Sequence, residues 1–313
     1  MKLTVLGFFF VTAICLAGDW ADSDSGIHGP KYSELLTKMQ QLADQNTDRT
    51  LIFDYGQTAQ GRTLRLLALY RHDLHPATRP TLYITGSIHG NEYLNIEDRL
   101  PETIITQSKG QGTFQKFIDT GGAVVFVPIV NPDGYDLRQR ENTHDTDLNR
   151  DWDVPPANFK GFTEVETGNL SSKLDELGEK LGLRYRVTVD YHCCAGALLY
   201  PWSYETETTL PPDALKEHQA MGQLAQSILG KDVEHGTTGQ ILGYYPMGTT
   251  KDYFYDHYKS LSFTYEGRYG QENEYFDKHV QWWQAITEQI MKEVHHRSWM
   301  GVAPREENGL FHL

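Results

Sequence analysis

Two short segments far apart in the chain contain side chains that are typical of metal ligands. Residues 86–92 contain His89 and Glu92, and residues 189–192 end in His192. Residues three apart lie on one face of a helical turn, so the His89 imidazole and the Glu92 carboxylate can reach one metal ion. Two nitrogens and one carboxylate, with one position left for water, form the donor set of a hydrolytic zinc site. The sequence therefore predicts one zinc ion per chain, with His192 as the third ligand.

The predicted ligands follow apolar runs that are typical of buried strands. Residues 81–85 and 186–191 are two such runs, and a helix is expected to begin at Glu92. This places the first pair of ligands at a strand-to-helix turn. A His-x-x-Glu pair by itself is a weak signal, because the chain has 13 histidines and 42 acidic residues. The interpretation therefore depends on further motifs.

Three more motifs occur in a specific order with His192: Asn-Pro-Asp-Gly-Tyr at 131–135 and Asp-Leu-Asn-Arg at 147–150 precede it, and Phe-Thr-Tyr-Glu at 263–266 follows it. Their order and spacing resemble the zinc carboxypeptidase family typified by carboxypeptidase A, from Tyr32 to about Arg297. The resemblance implies an α/β fold with a mixed, mostly parallel central sheet and helices on both faces. It also implies a metallocarboxypeptidase, similar to the exported bacterial members that lack a pro-domain.

The resemblance assigns roles to three groups around the metal. His89, Glu92 and His192 match the family's zinc ligands. Asp147 matches the carboxylate that accepts a hydrogen bond from a ligand imidazole, which would fix the ring's tautomer and orientation. Glu266, at the end of an apolar strand, matches the catalytic glutamate that moves protons between water and the leaving amine.

Three arginines and one asparagine are candidates for binding the substrate. Asn149 and Arg150 match the family's anchor for the C-terminal carboxylate, a task that suits the planar fork of arginine. Arg140 matches the arginine that polarises the scissile carbonyl and stabilises the oxyanion. Arg138 is the alternative for that role. For each arginine, a surface ion pair is the competing interpretation.

The segment before Glu266 is expected to line the substrate pocket. Counting back from Asp252 selects Tyr244 as the tyrosine that closes over the substrate, although Tyr245 precedes a proline, as the tyrosine does in many bacterial members. Lys251 matches the residue that lines the pocket for the terminal side chain. It predicts a preference for acidic C-terminal residues, with a solvated surface lysine as the alternative.

The chain start and the composition suggest an exported protein. An apolar run from Leu3 to Ala17 follows Met1 and Lys2, and it is shorter than the ~20 residues that span a bilayer. It predicts a cleaved signal peptide over residues 1–17, a flexible lead-in over 18–30 and a single catalytic domain over 31–313, with no membrane anchor after cleavage. A secreted or periplasmic location is expected.

The net charge limits the classes of binding partner, and the cysteine content limits the contribution of disulfides to stability. The net charge of −14 argues against nucleic acid or an anionic membrane as a partner. After signal cleavage only Cys193 and Cys194 remain, and because they are adjacent they are expected to be poor partners for an ordinary disulfide. The predicted partner is a peptide with a free C-terminal carboxylate.

Periodicity predicts the main elements of the domain. Apolar residues at helical spacing predict an amphipathic helix over residues 31–45, and further helices are expected at 162–181, 212–229 and 277–297. Strands are expected at 51–55, 64–70, 123–130, 198–200 and 261–265, with Pro128 at a bulge or at the strand's end. Residues 131–134 are predicted to form a turn.

Rival functions remain open from the sequence. A murein peptide hydrolase could cut bonds to diaminopimelate, whose extra carboxylate could also contact Lys251. A deacylase is a further rival, but such relatives often lack the carboxylate anchor that Asn149 and Arg150 match. A zinc-dependent peptide-binding protein without turnover is the alternative outside enzymes, and Glu266 argues against it.

Overall fold

The computed structural model describes residues 24–155 and 159–299, with side chains up to residue 292. In this part of the chain, eight strands form one sheet: β1 (Thr50–Gln57), β2 (Thr63–Leu69), β3 (Arg79–Gly86), β4 (Ala123–Val127), β5 (Leu183–Cys193), β6 (Ala197–Tyr200), β7 (Glu234–Thr237) and β8 (Leu261–Gly267). Their order across the sheet is β1-β2-β4-β3-β5-β8-β6-β7. The central strands β4, β3, β5 and β8 are parallel, and β6 and β7 are parallel to each other, whereas β1–β2, β2–β4 and β6–β8 are antiparallel. The predicted mixed, mostly parallel sheet is confirmed.

Helices cover both faces of the sheet in the described residues. They are α1 (Tyr32–Asp44), α2 (Arg99–Ser108), α3 (Thr113–Asp119), α4 (Pro132–Leu137), α5 (Val165–Leu181), α6 (Pro212–Leu229), α7 (Thr238–Leu242), α8 (Thr250–Tyr258) and α9 (Phe276–Trp299). One hydrophobic core joins the sheet to α2, α3, α6 and α9, and a second joins the opposite face to α5 and α8. Adjacent β4 residues illustrate the division, because Val124 belongs to the first core and Val125 to the second. Coverage of both faces explains why the central strands are almost entirely apolar.

The elements predicted from periodicity are present with small shifts at their ends. The helix predicted at 212–229 matches α6, and the other predicted helices correspond to α1, α5 and α9. The strand predicted at 123–130 ends at Val127, directly before Pro128, as the missing amide donor of proline suggests. The predicted turn at 131–134 is instead the start of α4, in which the Asn131 side chain accepts a hydrogen bond from the Gly134 amide.

The prediction of a helix that begins at Glu92 is wrong. Residues 92–94 have no regular secondary structure, residues 95–98 form bends and a turn, and α2 begins only at Arg99. The Glu97 carboxylate accepts hydrogen bonds from the amides of Leu94 and Ile96, and Asn95 has a left-handed φ of 60°, so a regular helix cannot pass through. Pro101 lies in the first turn of α2, where proline is tolerated.

The expectation that the two adjacent cysteines are poor disulfide partners is also wrong. Cys193 and Cys194 form a disulfide between neighbouring residues at the end of β5. Their Cα atoms lie 3.1 Å apart, closer than in most disulfides. Adjacency was therefore not sufficient to exclude the bond.

The chain start lies partly outside the described residues. The predicted signal peptide at 1–17 is not covered by the structure, and neither is the first part of the predicted lead-in. Ser25 is hydrogen-bonded to the backbone of Asn91 and Gly270, so the last residues of the lead-in lie against two loops of the domain. The flexibility of this segment stays a prediction. None of the described helices is long and apolar enough to cross a membrane.

Candidate active site

The predicted metal ligands and Glu266 lie at the carboxyl ends of three neighbouring parallel strands. Gly86 at the end of β3 is level with Tyr191 of β5, and His192 is level with Glu266 of β8. The strand register therefore brings together residues that are more than 170 positions apart in sequence. The carboxyl edge of parallel strands is where open α/β sheets bind their ligands.

The turn after β3 is fixed by its backbone against the segment after β4. The amides of Val130 and Asn131 donate to the carbonyls of Gly86 and Ser87. At Gly90 a side chain would collide with the backbone, because an added Cβ atom would lie 2.1 Å from the carbonyl carbon of Gly134. This close backbone contact requires glycine, and it holds the segment between His89 and Glu92 in place.

Three buried ligand atoms converge on one point. Glu92 Oε2 lies 3.0 Å from His89 Nδ1 and 2.9 Å from His192 Nδ1, and the two Nδ1 atoms are 3.1 Å apart. Ligands of a tetrahedral ion with bonds of ~2.0–2.1 Å are separated by about 3.3 Å. Within the described residues, these three form the only cluster of this kind. The donor set and the spacing therefore fit a zinc ion.

Electrostatics of the cluster favour a cation. Burial works against the ionised form of Glu92, but His89 and His192 hold the pKa of this carboxyl well below its usual value. Burial also opposes protonation of His192, yet the carboxylates of Asp190 and Glu92 raise the pKa of His192 to about 10. The carboxylates thus stabilise positive charge at the point where the ligand atoms meet.

Asp147 contacts the ring nitrogen of His89 that points away from the cluster, as the sequence predicts for this carboxylate. Asp147 Oδ1 lies 2.9 Å from His89 Nε2, so a proton on Nε2 leaves the Nδ1 lone pair directed at the cluster. Asp147 begins the short 3-10 helix Leu148–Arg150, where its side chain accepts from the Asn149 amide. Despite its burial, the pKa of Asp147 is lowered far below its usual value by His89, Arg150 and Arg140.

Arg140 is a buried ion-pair partner of two site carboxylates. It donates from Nη1 to Glu92 Oε1 at 2.9 Å, and from Nε and Nη2 to Asp147 Oδ2 at 3.2 and 2.9 Å. These contacts use three of its five N–H groups. Arg138, the alternative, lies at the surface and forms an ion pair with Asp24. The geometry therefore favours Arg140 as the residue that faces the site.

Glu266 is the carboxylate on the strand next to His192. It is half-buried at the end of β8, and within the described residues its side chain has no hydrogen-bond partner. Burial and the neighbouring Glu92 raise the pKa of Glu266, although His192 partly opposes this effect. A raised pKa brings a carboxyl group closer to neutral pH, which suits proton transfer.

Asn149 and Arg150 lie on the other side of the cluster. Asn149 Oδ1 accepts from the amide and the hydroxyl of Thr250, which turns Asn149 Nδ2 toward His192 Nε2 at 3.4 Å. Arg150 donates to the Asn149 carbonyl, and its side chain is 32 % exposed. Of the two predicted anchor residues, Arg150 has the more accessible donors.

The two candidate tyrosines differ in position. The Tyr244 ring lies 6.0 Å from the Arg150 guanidinium, and burial raises the pKa of Tyr244. Tyr245 is 46 % exposed and packs against Gly239. Tyr244 therefore lies closer to the predicted anchor.

Lys251 is buried, with 3 % of its surface exposed, so the alternative of a solvated lysine is wrong. Its ammonium donates to Ser203 Oγ at 2.5 Å and to Thr238 Oγ1 at 3.0 Å. Among the described residues it forms no ion pair with a carboxylate. Burial consequently lowers the pKa of Lys251, and Arg150 adds to the effect, while Asp252 and Glu266 oppose it.

A family model described as zinc carboxypeptidase matches residues 35–292, which include every site residue described above. The chain belongs to the zinc carboxypeptidase family. The family predicted from the motifs is therefore confirmed.

The relatives of this chain are distant in sequence. A carboxypeptidase B from Helicoverpa zea is 24 % identical, over 73 % of this chain and 60 % of its own length. An inactive metallocarboxypeptidase, ECM14, from Ajellomyces capsulatus is 27 % identical, over 63 % of this chain and 37 % of its own length. The chain thus spans less than two thirds of these relatives.

Solved structures share the fold. A crystal structure of thrombin activatable fibrinolysis inhibitor aligns with a TM-score of 0.71 and 17 % identity, over 84 % of this chain and 74 % of that chain. The carboxypeptidase A from Helicoverpa armigera aligns with a TM-score of 0.62 and 20 % identity, over 85 % of this chain and 75 % of that chain. At these identities the comparisons support the fold alone.

Sequence reasoning missed three residues of this candidate site. Asp190 Oδ2 lies 2.9 Å from His192 Nε2, and its Asp-x-His spacing on a strand was a usable signal, because alternate residues share a face. Ser203 and Thr238, which contact Lys251, come from distant parts of the chain and carry no local signal.

Proposed function

We propose that this chain is a zinc-dependent metallocarboxypeptidase that hydrolyses the last peptide bond of peptides with a free C-terminal carboxylate. The observation that carries the proposal is the convergence of ligand atoms of His89, Glu92 and His192 within 4.8 Å of one another, beside the Glu266 carboxylate, which has no hydrogen-bond partner among the described residues. A bound zinc ion would supply Lewis-acid polarisation of the scissile carbonyl and lower the pKa of water.

The protein's own groups would handle protons and charge. Glu266, with its raised pKa, takes a proton from the attacking water and gives one to the leaving amine. Arg140 keeps two N–H groups for the negative charge that develops on the carbonyl oxygen, and its ion pairs with Glu92 and Asp147 hold the guanidinium in place. Each group thus acts without a large rearrangement.

Recognition of the chain end would rest on Arg150, with Asn149 and Tyr244 beside it. The guanidinium can bind a carboxylate through two hydrogen bonds, and it is partly accessible. Tyr244 lies near this guanidinium and would cover the bound terminal residue. A peptide with a blocked C-terminus would lose this anchor.

We further propose a preference for acidic terminal residues through Lys251. A buried ammonium whose described partners are only hydroxyls is incompletely compensated, so an anionic side chain would gain a strong, charged hydrogen bond. Diaminopimelate also carries an extra carboxylate, so murein peptides are included among the candidate substrates. Export to the periplasm or the cell exterior is part of the proposal, and it rests on the apolar residues 3–17.

A second candidate is a zinc-dependent peptide-binding protein without turnover, favoured by the relatives that are described as inactive. The test is release of free amino acids from a pool of peptides, with matched peptides carrying a C-terminal amide. Turnover of the free acids alone is expected, and Glu266→Gln should reduce it by about 10²–10⁴-fold with zinc retained. Zinc and peptide binding without amino-acid release would favour the second candidate and overturn the first.

A further inference from the structure

Both ring nitrogens of His192 face strong acceptors. His192 Nδ1 faces Glu92 at the ligand cluster, and His192 Nε2 faces Asp190 Oδ2 at 2.9 Å. Asp190 and His192 are two residues apart on β5, so their side chains lie on the same face of the strand. Both are 2 % exposed, which leaves little competition from water.

Asp190 differs from the corresponding carboxylate of His89. Asp147 is also bound by Arg140, whereas within the described residues Asp190 is in hydrogen-bonding contact with the His192 ring alone, and its buried Oδ1 atom has no hydrogen-bond partner. A buried carboxylate is costly without a partner, and the His192 ring is the partner that Asp190 has within the described residues. Its orientation toward Nε2 therefore indicates a specific interaction with this histidine.

The neighbouring Asn149 explains why a carboxylate is needed. The Asn149 amide is oriented by Thr250, so it can only present its Nδ2 donor to His192 Nε2, at 3.4 Å. A donor there favours an unprotonated Nε2 and a proton on Nδ1, which would block the ligand position. The closer acceptor, Asp190 Oδ2, favours the opposite tautomer.

We propose that Asp190 is a positioning residue that keeps the proton of His192 on Nε2, so that Nδ1 is available to the metal. The inference rests on the zinc site of the proposed function. Asp190 acts through His192 and does not itself contact the metal. Loss of the Asp190 carboxylate would let Asn149 select the tautomer that cannot bind zinc.

The test compares the zinc affinity of the parent, Asp190→Ala and Asp175→Ala by competition with a chromophoric chelator. Asp175 is a matched control, since it forms a 3.0 Å contact with the exposed His257 outside the site. The D190A variant should bind zinc about 10–100-fold more weakly. The D175A variant should keep the parent affinity. Cobalt substitution should also give an altered visible spectrum in D190A, which a general loss of stability would not produce.

Two results would distinguish failure of this inference from failure of the proposed function on which it rests. A parent that binds no zinc overturns both, whereas a folded D190A variant with the parental zinc affinity overturns the inference alone. If D190A does not fold, long-range ¹H–¹⁵N spectra of the zinc-loaded parent decide. They should show both ligand histidines bound through Nδ1 and protonated on Nε2, and binding of His192 through Nε2 would overturn the inference.

Discussion

Replacement of Lys251 by methionine should remove a preference for peptides that end in glutamate. Methionine has a similar length and no charge, so it suits a position that is 3 % exposed. After the change, the Ser203 and Thr238 hydroxyls can hydrogen-bond to other nearby polar groups or to water. The side-chain carboxylate of a bound terminal glutamate, in contrast, loses the cation that it would contact. The effect should therefore fall on the substrate's charge rather than on the fold.

The magnitude follows from the buried position of the ammonium. A hydrogen bond to a charged group contributes about 1.5–3 kcal/mol. At about 1.4 kcal/mol per factor of ten, this corresponds to roughly 10- to 100-fold in kcat/KM. An exposed lysine would give almost no discrimination between the two substrates, because solvent screens its interaction with the carboxylate. A ratio near the upper end would indicate that the bound side chain is largely shielded from water.

The assay compares kcat/KM for two peptides that differ only in a terminal Glu or Gln. Glutamine has the same shape without the charge, so the Glu-to-Gln ratio isolates the contribution of Lys251. The ratio should be high in the parent, near one in Lys251→Met, and unchanged in the control Lys216→Met, where the lysine is exposed on α6.

The pH dependence gives a second check on the same residue. Burial lowers the pKa of Lys251, so the ammonium loses its proton at a lower pH than an ordinary lysine. The substrate glutamate stays ionised throughout this range, so the Glu-to-Gln ratio should fall as the pH rises toward 10.5, the usual value for lysine. A parent ratio near one at neutral pH, or a high ratio that persists in the methionine variant, would refute this use of Lys251.

Three further results are expected. His192→Ala should lose most of the bound zinc in metal analysis, while His257→Ala, which changes an exposed histidine, should keep it; full zinc content in the first variant would contradict the ligand assignment. Removal of zinc with a chelator should lower the Tm, and added zinc should restore it, because the ion binds the folded state; an unchanged Tm would argue against a preformed site. Glu272→Ala should lower the free energy of unfolding in urea by about 2–5 kcal/mol, because the buried donors Tyr265 Oη and His279 Nε2 lose their acceptor, whereas the exposed Glu288→Ala should change it by less than about 0.5 kcal/mol.

The fold could be predicted where hydrophobic periodicity is strong. The α6 helix has proline at its start and glycine after its end, and its predicted bounds agree with the structure. The prediction for the region after Glu92 was wrong because Asn95 has a left-handed φ and the Glu97 carboxylate accepts from the Ile96 amide, which a helix beginning at Glu92 would use within itself. Periodicity does not report such local competition. Short elements such as α7 and β7 were missed because four or five residues give too little pattern.

The candidate site could be predicted only as a set of residue types in order. The ligands were identified because His89, Glu92 and His192 occur in a specific order with further motifs, and the structure then brings their atoms together. The environment of Lys251 could not be predicted, because its burial depends on Ser203 and Thr238 from two other segments. Side-chain burial at a loop and helix boundary is a tertiary property, so the sequence left a solvated lysine as a valid alternative.

The charge distribution around the ligands gives a physical reason for the metal that does not depend on any motif. Three buried or largely buried carboxylates, those of Glu92, Asp147 and Asp190, surround two imidazoles, and one buried guanidinium, Arg140, is paired with two of them. Each uncompensated buried charge costs several kcal/mol, so this arrangement is unfavourable unless positive charge is added at its centre. Protonation of His192 adds one charge, in line with the rise of its pKa to about 10, and a divalent cation adds two while satisfying all three ligand atoms. The same carboxylates that make the cluster unstable without positive charge therefore favour zinc over a proton at the point where the three strands end.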